Sequence, residues 1–167
     1  MTIEEAIKTA IEYETRIRNI YLEAAEAIDD DAGQRIFETL GDDEQRHLDY
    51  LEHKLAQFQE TGAIKPEKLD SVIPDQESIH QEADKIKSMA SGDFLGIKQQ
   101  MLSKALQAEI ETSDFYRKMV NELPAEARPL FERFLEIENN HILAVQFELD
   151  YTSKTGYWFD FKEFDME

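Results

Sequence analysis

Residues 37–58 read FETLGDDEQRHLDYLEHKLAQF, and the apolar members Phe37, Leu40, Leu51, Leu55 and Phe58 recur at the spacing of one helix face. Between Leu40 and Leu51 that face is carried by Glu44 and His47. A carboxylate and an imidazole thus stand where a bundle helix keeps its core side chains. Residues three apart share a face, so both groups address the same small volume.

The same interruption recurs along the chain. An upstream stripe runs Ile3, Ile7, Ala10, Glu14, Ile17, Tyr21, Ala24, Ile28. Two downstream stripes run Leu95, Leu102, Ala105, Glu109, Thr112, Tyr116, Met119 and Phe131, Phe134, Glu138, His141, Val145. Each stripe has a glutamate near its midpoint, and two add a histidine one turn later. Ala10 and Glu14 with Tyr21 correspond to Ala105 and Glu109 with Tyr116. Glu14 to Glu44 is 30 positions and Glu109 to Glu138 is 29. Two helical hairpins with one ligand plan predict a pseudo-twofold bundle.

Burying four unpaired carboxylates costs many kcal/mol, and no Lys or Arg occupies the seam positions to offset it. Something cationic must sit between them. Two divalent ions balance four glutamates while both imidazoles stay neutral. Oxygen-rich coordination with imidazole suits iron or manganese; zinc prefers fewer ligands with more nitrogen or sulfur, and calcium does not recruit histidine.

Around these stripes the chain reads as all α, since Glu, Lys, Gln, Ala and Leu dominate and Gly and Pro are confined to a few places. The four long helices are expected at about 3–28, 32–60, 94–122 and from the Leu123-Pro124 link to near Ser153. Asp29, Asp30 and Asp31 read as a turn that caps the second helix. The one long connection, Gly62 to about Asp93, is broken by Pro66 and Pro74, with room for a short helix from Gln76 to Met89. Residues 1–153 are expected to form a four-helix bundle with one crossover between the second and third long helices. Residues 154–167 are expected to form an aromatic tail packed on the bundle or on a neighbouring subunit. His53 and His80 read as surface histidines.

Composition narrows the chemistry. The 167 residues contain no cysteine, which excludes disulfides, thiolate sites and a cysteine nucleophile. A formal net charge of -19 disfavours nucleic acid and anionic membranes and favours cations as small partners. With no basic leader and no apolar run of the roughly 20 residues a membrane helix needs, a cytoplasmic protein is expected.

With these residues in place, the sequence resembles the ferritin-like di-iron carboxylate family, specifically its rubrerythrin-related branch, over nearly the whole chain. The resemblance implies a ferritin-like bundle holding two iron ions through Glu14, Glu44, His47, Glu109, Glu138 and His141, with manganese as the other metal such ligands accept. It implies that Glu44 and Glu138 bridge the ions, that Glu14 and Glu109 are terminal, and that the hydroxyls of Tyr21 and Tyr116 bond ligand carboxylates from across the bundle. It further implies reduction of hydrogen peroxide or dioxygen, in a homodimer. Two departures are visible: Thr112 stands where rubrerythrins commonly have a further glutamate, and a chain without cysteine has no rubredoxin module, so electrons must come from a separate donor protein. The six-ligand set is also similar to that of bacterioferritin, whose haem-binding methionine is replaced here by Gln45, so no haem is expected. Iron oxidation, storage or delivery is the alternative activity, and a purely structural metal site the third.

Overall fold

A computed structural model describes residues 1–65, 67–71, 73–74, 76–86 and 96–159. Among the described residues five helices follow in order: α1 Ile3–Ala27, α2 Asp31–Thr61, α3 Gln76–Ile86, α4 Ile97–Glu122 and α5 Arg128–Thr155. Four expected features lie outside the described residues: the breaker Pro66, the end of the short helix at Met89, the first turn at Phe94 and Leu95, and the tail beyond Phe159. The third long helix begins at Ile97, later than expected, because Gly96 is extended (φ -87°, ψ 178°) and its N–H is bonded to Gln99 Oε1 at 2.9 Å.

The helix ends follow from local chemistry. Thr2 and Glu5 form a reciprocal capping box at the start of α1, satisfying two orphan N–H groups. Asp30 Oδ1 accepts from the N–H groups of Ala32 and Gly33 and caps α2. Gly62 and Gly156 end α2 and α5 at φ 71° and 76°, a left-handed turn that costs a residue with a Cβ far more. The last helix therefore runs two residues past Ser153.

Burial assigns the directions. Ile3, Ile7 and Ala10 of α1 belong to one apolar cluster with Leu51 of α2, Tyr116 and Met119 of α4 and Phe131 and Phe134 of α5. Ile17 and Tyr21 belong to a second cluster with Phe37 and Leu40, Leu102 and Ala105, and Ala144 and Val145. Hence α1 and α5 run one way and α2 and α4 the other. The chain leaves α2 at one end of the bundle and enters α4 at the opposite end, so the connection must travel its full length.

That connection is a strap pinned to α2 and α5. Lys54 Nζ donates to the Lys65 carbonyl at 2.5 Å, Tyr50 Oη to that of Glu67 at 2.8 Å, and Arg133 Nε and Nη2 to that of Leu69 at 3.0 and 2.7 Å. Ser71 Oγ reaches Asp43 Oδ2 at 2.7 Å. Leu69, Ile73 and Ile79 are buried beneath it. Lys54 is itself fully buried; Lys65 O, Gln57 Oε1 and Glu67 Oε2 surround its ammonium, which is the condition for burying a charge.

Of the tail, Trp158 lies edge-on to Phe37 with ring centroids 5.4 Å apart, and Phe159 meets Phe147 and Tyr151. A Cβ on Gly33 would come within 2.9 Å of Trp158 Cε2 and Cζ2. Gly33→Ala is therefore expected to displace the indole. The gain in helix propensity, up to about 1 kcal/mol, offsets the loss of an aromatic contact of similar size. The melting temperature should move little while the emission of the chain's single tryptophan shifts to the red; unshifted emission would show that the indole is not seated there.

Candidate metal centre

The two apolar clusters are separated by a polar layer at the helix midpoints. Glu14 falls between Ala10 and Ile17, Glu44 and His47 between Leu40 and Leu51, Glu109 between Ala105 and Tyr116, and Glu138 and His141 between Phe134 and Val145. All six side chains are 0 % exposed. Each is there because a polar residue occupies a core position of an otherwise apolar stripe, with apolar turns above and below excluding water.

Their atoms converge as two groups, Glu14, Glu44, His47 and Glu138 in one and Glu44, Glu109, Glu138 and His141 in the other, each with its ligand atoms within 4.8 Å of one another. The groups share Glu44 and Glu138. His47 Nδ1 lies 3.1 Å from Glu44 Oε2, 3.5 Å from Glu14 Oε2 and 3.7 Å from Glu138 Oε1. His141 Nδ1 lies 2.7 Å from Glu44 Oε1 and 3.4 Å from Glu109 Oε1. In both histidines Nδ1 faces the carboxylates and Nε2 faces away.

The donor set has the mark of a cation site. Glu14 Oε2, Glu44 Oε1, Glu109 Oε2, both oxygens of Glu138 and His141 Nδ1 have no aligned hydrogen-bond partner among the described residues, although all are buried. Buried acceptors without donors are rare because each forfeits its hydration. Metal ions satisfy this many lone pairs at once, and the mixed oxygen and imidazole donors suit iron or manganese.

Electrostatics without a metal tells the same story. Burial, reinforced by the Glu14 charge, pushes the Glu44 carboxyl up to about 8, and burial with the charges of Glu14, Glu109 and Glu44 raises Glu138 well above the ordinary range. Glu14 is also desolvated, but hydrogen bonds within the cluster from Glu44, His47 and Tyr116 bring it down to about 2. Burial alone would lower His47, yet the Glu44 and Glu14 carboxylates outweigh it and lift the ring to about 10; His141 is raised likewise. The carboxylates and imidazoles thus titrate as one coupled cluster, in which burial and like charge hold protons on Glu44 and Glu138 and the carboxylates hold them on the rings.

Two tyrosines tie the halves together. Tyr21 of α1 donates its hydroxyl to Glu109 Oε1 of α4, and Tyr116 of α4 donates to Glu14 Oε1 of α1 at 2.6 Å. Each bond fixes one carboxylate oxygen and leaves the other facing the site. Thr112 is buried one turn beyond Glu109, but its hydroxyl is spent on the Ala108 carbonyl at 2.8 Å. His53 and His80 are exposed, away from the centre.

One participant was not singled out from the sequence. Asp43 is fully buried behind the histidines; its Oδ2 accepts from His141 Nε2 at 2.8 Å and lies 3.5 Å from His47 Nε2, and Arg46 Nη2 reaches Oδ1 at 2.5 Å. Burial would raise this carboxyl, but the His141 hydrogen bond and the charges of both imidazoles hold it well below the usual range. The available signal was spacing: Asp43 precedes His47 by one turn, at i-4, on nearly the same face.

A helical bundle whose buried midlayer holds two carboxylate and imidazole clusters is the architecture of a dinuclear metal protein. The chain belongs to the rubrerythrin family, whose model matches residues 5–146 and so covers all six clustered residues. No curated protein and no solved structure matches it. Among the described residues no helix is long and apolar enough to cross a membrane.

Proposed function

We propose that the chain is a cytoplasmic di-iron redox protein that reduces hydrogen peroxide or dioxygen with electrons from a separate donor protein, working as a homodimer. The supporting observation is the pair of buried ligand groups sharing Glu44 and Glu138. In this reading those two carboxylates bridge, Glu14 and Glu109 are terminal, and His47 and His141 bind through Nδ1. Tyr116 and Tyr21 hold the Glu14 and Glu109 carboxylates by one oxygen each, which would orient the other oxygen toward a bound metal. The apolar clusters above and below exclude water. A pair of ferrous ions bound there supplies the two electrons that peroxide takes up on becoming water. Haem has no place in the reading: Gln45 is engaged by Arg18 Nη1 at 2.7 Å and by Asp49 Oδ1 at 2.9 Å.

The net charge of -19 favours a second reading, in which ferrous ions drawn to the acidic surface are oxidised and stored or passed on. A closed shell of many subunits in solution supports it; a dimer supports the first.

Loading with ferrous iron without oxygen, then mixing separately with peroxide and with dioxygen, tests the proposal. Oxidation by peroxide is expected to be at least about tenfold faster, a difference of about 1.4 kcal/mol in barrier. Negligible reaction with both oxidants would leave the site structural and overturn both redox readings.

A further inference from the structure

We propose that Ser71 is a positioning residue of the metal centre: a hydroxyl from the crossover strap that, acting through Asp43, sets the orientation of the ligand histidine His141. The inference rests on the dimetal reading above and adds to it a residue from outside the four long helices.

The geometry is a short chain of contacts. Ser71 Oγ donates to Asp43 Oδ2 at 2.7 Å, and the same oxygen accepts from His141 Nε2 at 2.8 Å and lies 3.5 Å from His47 Nε2. The two imidazoles are stacked, with centroids 5.4 Å apart and planes at 24°; only His141 bonds the Asp43 oxygen, whereas His47 Nε2 has no aligned partner among the described residues. The serine proton is aimed. The Ile73 N–H points at Ser71 Oγ at 3.3 Å, so that oxygen accepts from the backbone and its own hydrogen is left for Asp43.

Ser71 is also held in place from both sides. Two residues before it, the Leu69 carbonyl takes both Arg133 bonds; two residues after it, Ile73 is buried in the core. The strap thus grips α5 through Arg133 and α2 through Asp43, the two helices that carry the Glu-x-x-His pairs. An imidazole presents Nδ1 correctly to a metal only while its Nε2–H is held, and groups that hold it typically contribute 10–100-fold in metal affinity. Ser71 shares that task by fixing the lone pairs Asp43 Oδ2 offers. By linkage, metal bound to the histidines must hold the strap more firmly in return.

The test uses cobalt(II) as the probe, bound to the full chain and to Ser71→Ala, Ser71→Thr and Glu138→Gln. Ser71 is partly exposed, so the alanine variant leaves no sealed cavity; it removes one donor from the buried Asp43 carboxylate and should lower the metal-free melting temperature by a few degrees at most, which Ser71→Thr restores. Ser71→Ala is expected to bind cobalt about tenfold more weakly, with an altered visible spectrum, and Ser71→Thr to restore both. In the parent, cobalt should slow tryptic cleavage at Lys68, which is exposed in the strap; in Ser71→Ala that protection should be lost. Wild-type affinity and spectrum in Ser71→Ala, with binding lost in Glu138→Gln, would overturn this inference and leave the ligand reading standing. Undiminished binding in Glu138→Gln, or no cobalt uptake by the parent, would overturn the ligand reading and this inference with it.

Discussion

Glu138→Gln is expected to stabilise the metal-free protein while removing most of what metal adds. Both Glu138 oxygens are buried without an aligned partner, and burial together with three neighbouring carboxylates disfavours its charge. Glutamine keeps the shape and brings no charge, so at pH 8 the metal-free variant should gain roughly 1–2 kcal/mol, or about 2–8 °C in melting temperature at this chain length. Glu138 is also one of the two carboxylates common to both ligand groups. The bound metal should therefore fall from two ions per chain to at most one, measured by elemental analysis after anaerobic loading and desalting. Two retained ions would remove Glu138 from the ligand set. A loss of stability in the metal-free variant would mean that its carboxylate is favourably held rather than frustrated.

The second large effect is in the pH dependence of stability without metal. Glu44 titrates at about 8 in the fold against 4.5 as an ordinary glutamate. Between those values the unfolded chain loses this proton and the folded chain keeps it, so stability falls as pH rises. His47, raised from 6.5 to about 10, contributes stability that is complete below 6.5 and is lost as pH climbs through 10. Glu138 and His141 are shifted in the same directions. Glu14, lowered to about 2, works at the other end: its contribution is present above 4.5 and disappears as pH falls toward 2. The metal-free protein is thus expected to be most stable near pH 5 and to lose a few kcal/mol by pH 8. Metal binding displaces the same protons, so the loaded protein should keep its stability over this range. Scanning calorimetry should show the gap between loaded and chelated protein widening by on the order of 10 °C from pH 5.5 to 8. Since a net charge of -19 also penalises compactness as pH rises, the control is Glu138→Gln, whose metal-free slope should be shallower; equal slopes would assign the trend to surface charge.

How far the site was readable from the sequence depended on the range of the forces involved. Glu14, Glu44, Glu109 and Glu138 announced themselves because a stripe is a local property: a helix buries one face, and a carboxylate on that face breaks the pattern within two turns. Asp43 did not, because it follows Asp42 in an acidic run and its burial is made by His141, 98 positions away, and by Ser71 of the strap. The strap itself, interrupted by prolines, has no period to read, so Leu69 and Ile73 looked like loop residues. The burial of Lys54 has no local signal either, because the carbonyl that receives it lies 11 positions on, in that same strap. The stripe of α5 was read as ending at Val145, whereas Glu148 and Thr152 continue it fully buried. Glu148 is met by the returning tail, where the Phe159 N–H donates to its Oε2 at 3.3 Å.

The placement of the polar layer between two apolar clusters also sets where the molecule yields. An isolated helix frays from its tips, because the terminal turns lack hydrogen-bond partners. Here α1 and α2 are capped at their N-termini and apolar clusters clamp both ends of the bundle, while the waist of every long helix faces buried carboxylates. Stripped of metal, the bundle is two half-cores joined at a seam, and its local openings are expected to begin in the middle and spread outward, which amide exchange fastest at the helix midpoints would show. Ions bound at the proposed centre would in that sense be the keystone of the scaffold, and the protein should give them up and breathe at the waist in a single event.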